Sequence, residues 1–188
     1  MTSEAARLST LVSQLLDLSR LQAGAAEPRR DWCSVEEIVR ETIAALDPPP
    51  GKFELRFDRG MPFVRADAAQ LERAFANLLA NSLRHSEDAP VSVQVSEHGG
   101  RIVVRVSNQG PGIPAAELER IFEPFYRGDT RRPHSGSGLG LAIVKGFVEA
   151  NGGTVHAESL PGQGATFVVD LPVESVPAPR QEPAGSTT

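Results

Sequence analysis

The sequence predicts a single mixed α/β domain in which most strands pair as antiparallel hairpins. Its 188 residues, 40% of them hydrophobic, are enough for one well-buried core. Residues 91–96 and 101–106 alternate apolar and polar side chains around a Gly-Gly turn. Residues 154–158 and 165–171 flank a second glycine-rich turn in the same way. Amphipathic helices lie between these strands.

The composition argues against several classes of function. The formal net charge of −5 leaves no basic surface for nucleic acid or an anionic membrane, so neither is expected as a partner. No apolar run reaches the roughly 18 residues of a membrane span, and the N-terminus lacks the pattern of a signal peptide. The single cysteine, Cys33, suits a reducing compartment. These features predict a cytoplasmic domain.

A first amphipathic helix is predicted from Ala6 to Gln22, and its packing has two alternatives. Gly24 ends the helix, and residues 25–30 separate it from the rest of the chain. Its apolar stripe therefore faces either another helix or subunit, or its own domain. The stripe comprises Leu8, Leu11, Val12, Leu15, Leu16, Leu18 and Leu21.

The following region is predicted to contain a helix and short strands. Ser34, with Glu37 three residues later, forms a capping box for a helix that reaches about Leu46. Residues 53–57 alternate apolar and charged side chains, as a half-buried strand does. We expect residues 63–64 to form a short partner for that strand.

The helix predicted from Ala68 to about His85 has an unusual polar face. Asn77, Asn81 and Arg84 gather within about 60° of arc, opposite the apolar residues. Asn is a poor helix former, so its recurrence at positions i and i+4 indicates a function. Asn carbonyl oxygens are hard ligands that suit Mg²⁺, and an arginine one turn further on can reach phosphate oxygens.

Three alternating glycines at residues 136–140 lead directly into a helix predicted from Gly138 to Glu149. Glycine lets the backbone approach a ligand, and the free N–H groups of a first helical turn favour phosphate. The spacing is not G-x-G-x-x-G, and the sequence contains no G-x-x-x-x-G-K-[ST]. It therefore argues against Rossmann and P-loop sites and for another kind of nucleotide site.

Three further segments are assigned from composition and pattern. Residues 115–122 are predicted to form a short helix, and residues 125–135 a mobile polar loop. From Glu174 onward Pro, Ala, Ser and Thr dominate, so residues 174–188 are predicted to be a disordered tail.

Five short motifs now stand in a fixed order, and together they resemble the N, G1, F, G2 and G3 boxes of the ATP-binding domain of sensor histidine kinases. The similarity covers residues 32–172, and residues 14–24 with 32–39 are most similar to the Kdp-type potassium and turgor sensor kinases. In order, the boxes are Asn77-x-x-x-Asn81, Asn108-x-Gly110-x-Gly112, Phe122-Glu123-Pro124-Phe125-Tyr126-Arg127, Gly136-x-Gly138-x-Gly140 and Gly162-x-Gly164-Ala165-Thr166.

The resemblance implies a Bergerat-type (GHKL) α/β sandwich, with a mixed, mainly antiparallel sheet packed on three helices. ATP would lie between the helices and a flexible lid. Residues 1–24 would be the end of the second helix of a dimerisation hairpin, residues 25–30 a linker, and residues 31–173 the ATP-binding catalytic domain.

The resemblance also implies roles for individual residues. Asn81 would coordinate Mg²⁺ with help from Asn77, and these two with Arg127 would be catalytic. Arg84, where the family usually has Lys, would contact phosphate, and His85 would lie along the sugar or base. The full set of implied nucleotide-binding residues is Asn77, Asn81, Arg84, His85, Asn108, Gly110, Gly112, Ile113, Phe125, Arg127, Gly136, Ser137, Gly138, Leu139, Gly140, Leu141 and Thr166.

The sequence departs from the family pattern in two places. Asn108 stands where the family generally has Asp, whose carboxylate accepts a hydrogen bond from the adenine amino group. The Asn oxygen can still accept that bond without the charge, so ATP binding is expected to survive more weakly. None of the four histidines is followed by an acidic residue, as the phosphoacceptor is. We therefore expect a fragment that binds ATP without autophosphorylating.

The implied reaction moves the γ-phosphoryl group of ATP to a histidine on the dimerisation domain and then to an aspartate of a response regulator. The first helix would form a homodimer, this fragment would not touch the membrane, and the whole protein would reside in the bacterial inner membrane. One alternative is another ATPase or serine kinase of this fold, although those proteins place Glu where Asn77 stands. The other is a degenerate nucleotide-binding and dimerisation module, favoured by Asn108.

Overall fold

The computed structural model describes residues 2–86, 89–128 and 136–174, and it confirms the predicted α/β sandwich. No helix among these residues is both long and apolar enough to cross a membrane. The helices are α1 (Thr2–Gln22), α2 (Val35–Ala45), α3 (Ala68–His85) and α4 (Gly140–Ala150). The strands are β1 (Asp31–Cys33), β2 (Phe53–Phe57), β3 (Val64–Ala66), β4 (Val91–His98), β5 (Arg101–Asn108), β6 (Thr154–Ser159) and β7 (Ala165–Pro172).

One layer is a five-stranded sheet in the order β2-β4-β5-β7-β6. Both predicted hairpins, β4-β5 and β6-β7, are present, and β5 joins them through antiparallel pairing with β7. Val104 on β5 therefore lies opposite Val95 on one side and Val169 on the other. Strand β2 runs parallel to β4, and the connection between them includes α3, as a parallel pair requires a crossover.

The core lies between this sheet and the helices. Alternate residues of β4 and β5 are buried on the inner face, while their neighbours are partly exposed. The buried apolar residues of α3 and α4 cover that face: Leu71, Phe75, Leu78 and Leu79 from α3, and Ile143, Val144, Phe147 and Val148 from α4. This packing turns the polar side of α3, with its two Asn, away from the sheet.

Strand β3 does not pair with β2, so the prediction of a partner for residues 53–57 was wrong. It pairs instead with β1, and Cys33 lies opposite Val64. This arrangement is favoured because it buries the apolar side chains of β3, Val64 and Ala66, in the core. Strands β1 and β3 thus form a separate two-stranded sheet.

The prediction of a short helix over residues 115–122 was also wrong. The structure has two 3-10 turns there, Ala115–Glu117 and Arg120–Phe122, instead of one continuous helix. Pro124 disfavours helical backbone at the residue before it, and Glu123 is indeed extended. Helix α4 likewise begins at Gly140, two residues later than predicted.

Helix α1 packs on its own domain through its C-terminal half. Leu18 is buried, and Leu21 fills the space beside Gly146, where a Cβ atom would lie 2.6 Å from Leu21. The own-domain alternative therefore holds for this half. Four large apolar side chains nearer the N-terminus of α1 are exposed: Leu8, Val12, Leu15 and Leu16.

Residues 25–30 lie against the start of α3. The backbone N–H of Arg29 donates to Asp67, the N-cap residue of α3, at 2.9 Å. Gln70 Nε2 donates to the carbonyl of Ala26 at 3.1 Å. The predicted mobile loop is described only as far as Gly128, so residues 129–135 of that prediction lie outside the described part, as do residues 175–188 of the predicted tail.

Candidate nucleotide-binding site

The N, G2 and F boxes contact one another, and the G1 and G3 boxes form a second group that meets the first through α3. A Cβ atom on Gly140 would lie 3.3 Å from Asn77 Oδ1, which joins the G2 box to the N box. Phe125 N–H donates to the carbonyl of Gly138 at 2.9 Å, joining the F box to the G2 box. The G1 box adjoins the C-terminal end of α3, where Asn108 contacts the carbonyl of His85, and the G3 box packs on the G1 box. The fold thus brings together residues from distant parts of the sequence at a single site.

At the end of the site nearest the sheet, here called the base end, Asn108 is held in one orientation. It is the last residue of β5 and is 6% exposed. Its Nδ2 donates to the backbone carbonyl of His85 at 3.2 Å, so Oδ1 remains as the acceptor end of the amide. That orientation suits the predicted acceptor role. His85 contributes its carbonyl here, a backbone role that the sequence prediction did not include.

The G1 and G3 boxes are joined by their backbones. Gly164 N–H donates to the carbonyl of Gly110 at 3.0 Å, and Gly162 N–H donates to that of Pro111 at 2.8 Å. Gly164 has φ +80°, and a Cβ atom there would lie 1.9 Å from the carbonyl oxygen of Asn108. Only glycine meets both demands. A cavity of about 310 Å³ beside these loops is lined by Gln109, Gly110, Gly162 and Gln163.

Hydroxyl groups complete the base end. Ser159 Oγ accepts from the backbone N–H of Ile113 at 2.8 Å and donates to the carbonyl of Gly164 at 2.6 Å. Thr166 Oγ1 lies 2.8 Å from Ser107 Oγ across the β5-β7 pair. Gly112 allows the chain to pass closely here, because a Cβ atom would lie 2.5 Å from the carbonyl oxygen of Leu160. Ser107 and Ser159 were not among the predicted site residues.

At the opposite end, here called the phosphate end, α4 begins at Gly140. The first-turn N–H groups, which include that of Leu141, have no partner within the helix, and the helix dipole places partial positive charge there. The N–H of Leu139 donates to Ser137 Oγ at 3.2 Å. Arg84 lies nearby, since its Nη1 is 3.4 Å from where a Cβ atom of Gly136 would be. This combination of amides and guanidinium can bind an anion.

Where the F box contacts the G2 box, each has one residue with a positive φ angle. Phe125 has φ +66°, which a residue with a side chain rarely adopts, and its side chain is 63% exposed. Gly138 has φ +73°, and a Cβ atom there would lie 2.8 Å from the backbone carbon of Phe125. Glycine is therefore required where the two boxes cross. Arg127, two residues further, is exposed next to the segment outside the described residues.

Tyr126 of the F box sits among charged neighbours. The guanidinium of Arg120 lies over its ring, 4.6 Å from the centroid. Burial, followed by the negative charge of Glu117, raises the pKa of the Tyr126 hydroxyl above its usual value. The hydroxyl is therefore neutral at physiological pH and can act as a donor.

The amide oxygens of Asn77 and Asn81 stand one helical turn apart on half-buried positions of α3. In the described part of the chain, no group of three or more His, Cys, Asp or Glu side chains could hold a metal ion. Asn77 Nδ2 donates to the carbonyl of Arg73 at 2.9 Å, and Oδ1 accepts from Gln14 Nε2 at 2.7 Å. Two neutral oxygen donors suit Mg²⁺ whose charge is balanced by phosphate.

Gln14 and Arg73 were missed by sequence reasoning. Gln14 lies 63 positions from Asn77, and its place in the first helix gave no signal beyond a polar gap in an apolar stripe. Arg73 pairs with the carboxylate of Asp17, which is buried. Both contacts depend on the packing of α1 against α3 and α4, which no local sequence pattern specifies.

Comparison with known proteins places these boxes in a family. Residues 66–175 match the family model of histidine kinase-, DNA gyrase B-, and HSP90-like ATPases. The sensor protein KdpD of Mycobacterium tuberculosis is 37% identical over 171 residues, which cover 88% of this chain and 20% of the relative. KdpD of Rathayibacter rathayi is 41% identical over 174 residues, covering 92% of this chain and 20% of the relative.

A solved structure agrees with both the fold and the sequence relationship. The crystal structure of full-length ShkA in complex with AMPPNP superimposes with a TM-score of 0.77 and 29% identity, over 94% of this chain and 38% of that one. This chain spans about 20% of the length of the two KdpD relatives. The predicted resemblance to sensor histidine kinases, including the Kdp type, is confirmed. The chain belongs to the family of histidine kinase-, DNA gyrase B-, and HSP90-like ATPases.

Proposed function

We propose that this chain binds Mg-ATP and donates the γ-phosphoryl group to a histidine on the dimerisation domain of the same kinase. The phosphoryl group then passes to an aspartate of a response regulator. The observation that carries the proposal is the placement of two groups along α3: a fixed amide acceptor, Asn108, beside its C-terminal end, and an anion-binding helix start, Gly140, beside Asn77. A relative, ShkA, has been solved in complex with an ATP analogue, AMPPNP, which supports ATP as the ligand.

At the base end, the adenine amino group would donate to Asn108 Oδ1. The amide of Asn108 is already oriented by the carbonyl of His85, so binding requires little rearrangement. Gly110 and Gly112 let the G1 loop pass close to the ring, with Ile113 beside them, and Thr166 borders the same space. A purine with a carbonyl in place of the amino group would set two acceptors against each other.

At the phosphate end, the first-turn amides of α4 and the guanidinium of Arg84 would bind the phosphate chain. Arg127 would approach the β- and γ-phosphates and stabilise charge that develops during transfer. Asn81, assisted by Asn77, would hold Mg²⁺ through its amide oxygen. The metal would neutralise phosphate charge when bound. The protein residues would position the γ-phosphoryl group for attack, which is the main demand of phosphoryl transfer.

We extend the proposal to the organisation of the whole protein. Residues 1–24 are the end of the second helix of a dimerisation hairpin, residues 25–30 a linker and residues 31–173 the catalytic domain. The exposed apolar side chains of α1, such as Val12 and Leu16, support a homodimer through that helix. The resemblance to Kdp-type sensors supports a cytoplasmic position for this domain in an inner-membrane protein.

The test is calorimetric titration of the chain with AMPPNP, with and without Mg²⁺, beside Asn81→Ala. We expect micromolar to sub-millimolar binding that weakens at least about tenfold without the metal and in the variant, since a ligand oxygen is lost. Glu72→Ala, an exposed position on the same helix, is the control and should bind as the wild type does. Absence of binding under every condition would reject the proposal.

A second candidate, a nucleotide-binding module without kinase activity, is favoured by Asn108 alone. The two candidates are separated by supplying a KdpD-type dimerisation domain together with ATP labelled on the γ-phosphate. Label on the acceptor histidine supports the kinase. Tight Mg-ATP binding with no transfer supports the binding module.

A further inference from the structure

A side chain of α1 reaches into the phosphate end of the site. Gln14 Nε2 donates to Asn77 Oδ1 at 2.7 Å, and Gln14 Oε1 accepts from the hydroxyl of Ser137 at 2.8 Å. Gln14 also lies 3.8 Å from where a Cβ atom of Gly140 would be. One amide therefore bridges the N box and the G2 box, and it comes from outside the five boxes.

The bridge continues to a backbone donor. Ser137 Oγ, while donating to Gln14, accepts from the N–H of Leu139 at 3.2 Å. The result is a chain of hydrogen bonds from Leu139 through Ser137 and Gln14 to Asn77. Each of the three groups bound in this way belongs to the proposed nucleotide site: an amide donor at the start of α4, a hydroxyl of the G2 box and an oxygen of the N box.

The position of Gln14 is fixed by the packing of α1. One turn further along, the carboxylate of Asp17 is ion-paired with Arg73, and its side chain is 6% exposed. Leu18 is buried, and Leu21 occupies the space beside Gly146. A buried carboxylate that loses its partner is strongly unfavourable, so the contacts of Gln14, Asp17 and Leu18 form and break together as this half of α1 docks or releases.

We propose that Gln14 competes with the nucleotide, so that docking of α1 and binding of Mg-ATP oppose each other. The inference rests on the proposed function of the site. A phosphate oxygen that accepts the Leu139 N–H displaces Ser137, and a metal at Asn77 Oδ1 competes with the Gln14 amide for the same oxygen. Gln14 thereby sets the affinity of a site to which it contributes no ligand atom.

Competition of this kind is reciprocal by thermodynamic linkage. If docked α1 weakens nucleotide binding by some factor, bound nucleotide weakens docking of α1 by the same factor. The movement of one helix and the occupancy of the nucleotide site are thus two readouts of one equilibrium, and either can be measured independently of catalysis.

The experiment compares wild type, Gln14→Ala and Gln22→Ala by calorimetric titration with Mg-AMPPNP. Gln22 is exposed on the same helix, so its substitution controls for a change in helix composition. We expect Gln14→Ala to bind about three- to tenfold more tightly, the effect of releasing one or two neutral hydrogen bonds, and Gln22→Ala to match the wild type. Equal or weaker binding by Gln14→Ala overturns the inference.

A second experiment measures the docking of α1 directly. Amide hydrogen exchange of residues 8–22 should speed up when Mg-AMPPNP saturates the wild type, and Asp17→Asn, which weakens docking at another contact, should also bind nucleotide more tightly. Unchanged or slowed exchange in α1 contradicts the inference. If wild type and variants bind equally, the proposed function stands and the competition is rejected. If none binds, the proposed function fails as well.

Discussion

The loops of the base end are joined mainly through their backbones, whereas the phosphate end combines the first-turn amides of α4 with side chains from other helices. At the base end, Gly110 and Gly164 leave no room for a Cβ atom, and their loops are hydrogen-bonded through main-chain groups. At the phosphate end, Asn77 is half-buried and Arg84 is exposed, and the contacts of Asn77 reach a separate helix. The base end therefore forms when the domain folds. The side chains of the phosphate end can rearrange without unfolding of the domain.

The difference follows from where each end lies in the fold. Asn108 and Thr166 belong to β5 and β7, which pair along their full length in the middle of the sheet. Asn77 and Arg84 lie on the side of α3 that faces away from the core. A change at the base end should therefore reduce stability, while loss of a side chain proposed to bind phosphate or Mg²⁺ should reduce affinity and leave stability almost unaltered.

The largest effect is expected for Gly164→Ala. Its positive φ and the 1.9 Å approach of the Asn108 carbonyl oxygen combine backbone strain with overlap, so the free energy of unfolding should fall by at least about 3 kcal/mol. Gly162→Ala is the matched control: φ is +79°, but nothing lies within 4 Å of its Cβ position. That variant should lose about 1 kcal/mol. Urea denaturation measures both, and equal losses would contradict the role given to the carbonyl.

An intermediate effect is expected for Asn108→Asp, which introduces the residue that the resemblance to sensor histidine kinases implies at this position. The new carboxylate would face the carbonyl of His85 where Nδ2 now donates, so stability should fall by about 1–3 kcal/mol at pH 7. This repulsion raises the pKa of the new carboxyl in the folded state. The deficit should shrink as pH falls, because the protonated acid can donate to the carbonyl. Urea denaturation at pH 7 and pH 4 tests this, and a pH-independent deficit would be evidence against it.

The smallest effect is expected on the exposed face of the sheet. The hydrogen bond and charge of Arg105 lower the pKa of Glu158, although both side chains are well exposed. The pair therefore stabilises the fold above the unfolded pKa of about 4.3, and that contribution is lost as pH falls through the lower folded value. Glu158→Gln should cost about 0.5 kcal/mol or less at pH 7 and nothing near pH 3. A larger loss of stability would show that this exposed ion pair stabilises the fold more than its exposure predicts.

Local patterns in the sequence were sufficient to predict α3 and the two hairpins. The apolar period and the two Asn positions depend on neighbours within a few residues, and the structure begins and ends α3 at Ala68 and His85 as predicted. The order and spacing of the five boxes then indicated the family. The acceptor role of the Asn108 side-chain oxygen could be predicted from the chemistry of the amide. Its hydrogen-bond partner is a backbone carbonyl, which no pattern in the sequence indicates.

Contacts between distant segments could not be predicted in this way. Strand β3 has three residues and no distinctive alternation, so nothing in its sequence indicated β1 as its partner in place of β2. The bridge from Gln14 to Asn77 depends on how α1 is placed against two other helices. Such contacts arise when whole helices and strands pack together. The hydrophobic periodicity of each segment does not specify which partner it packs against.

The order of strands in the sheet has a consequence for contacts between molecules. The two edge strands are β2 and β6, and both turn charged or polar side chains outward. Glu54 and Arg56 do so on β2, and His156 and Glu158 on β6. Charged edges discourage strand addition and aggregation, because a neighbouring sheet would have to bury these groups. The sheet is thereby protected from growing through its edges.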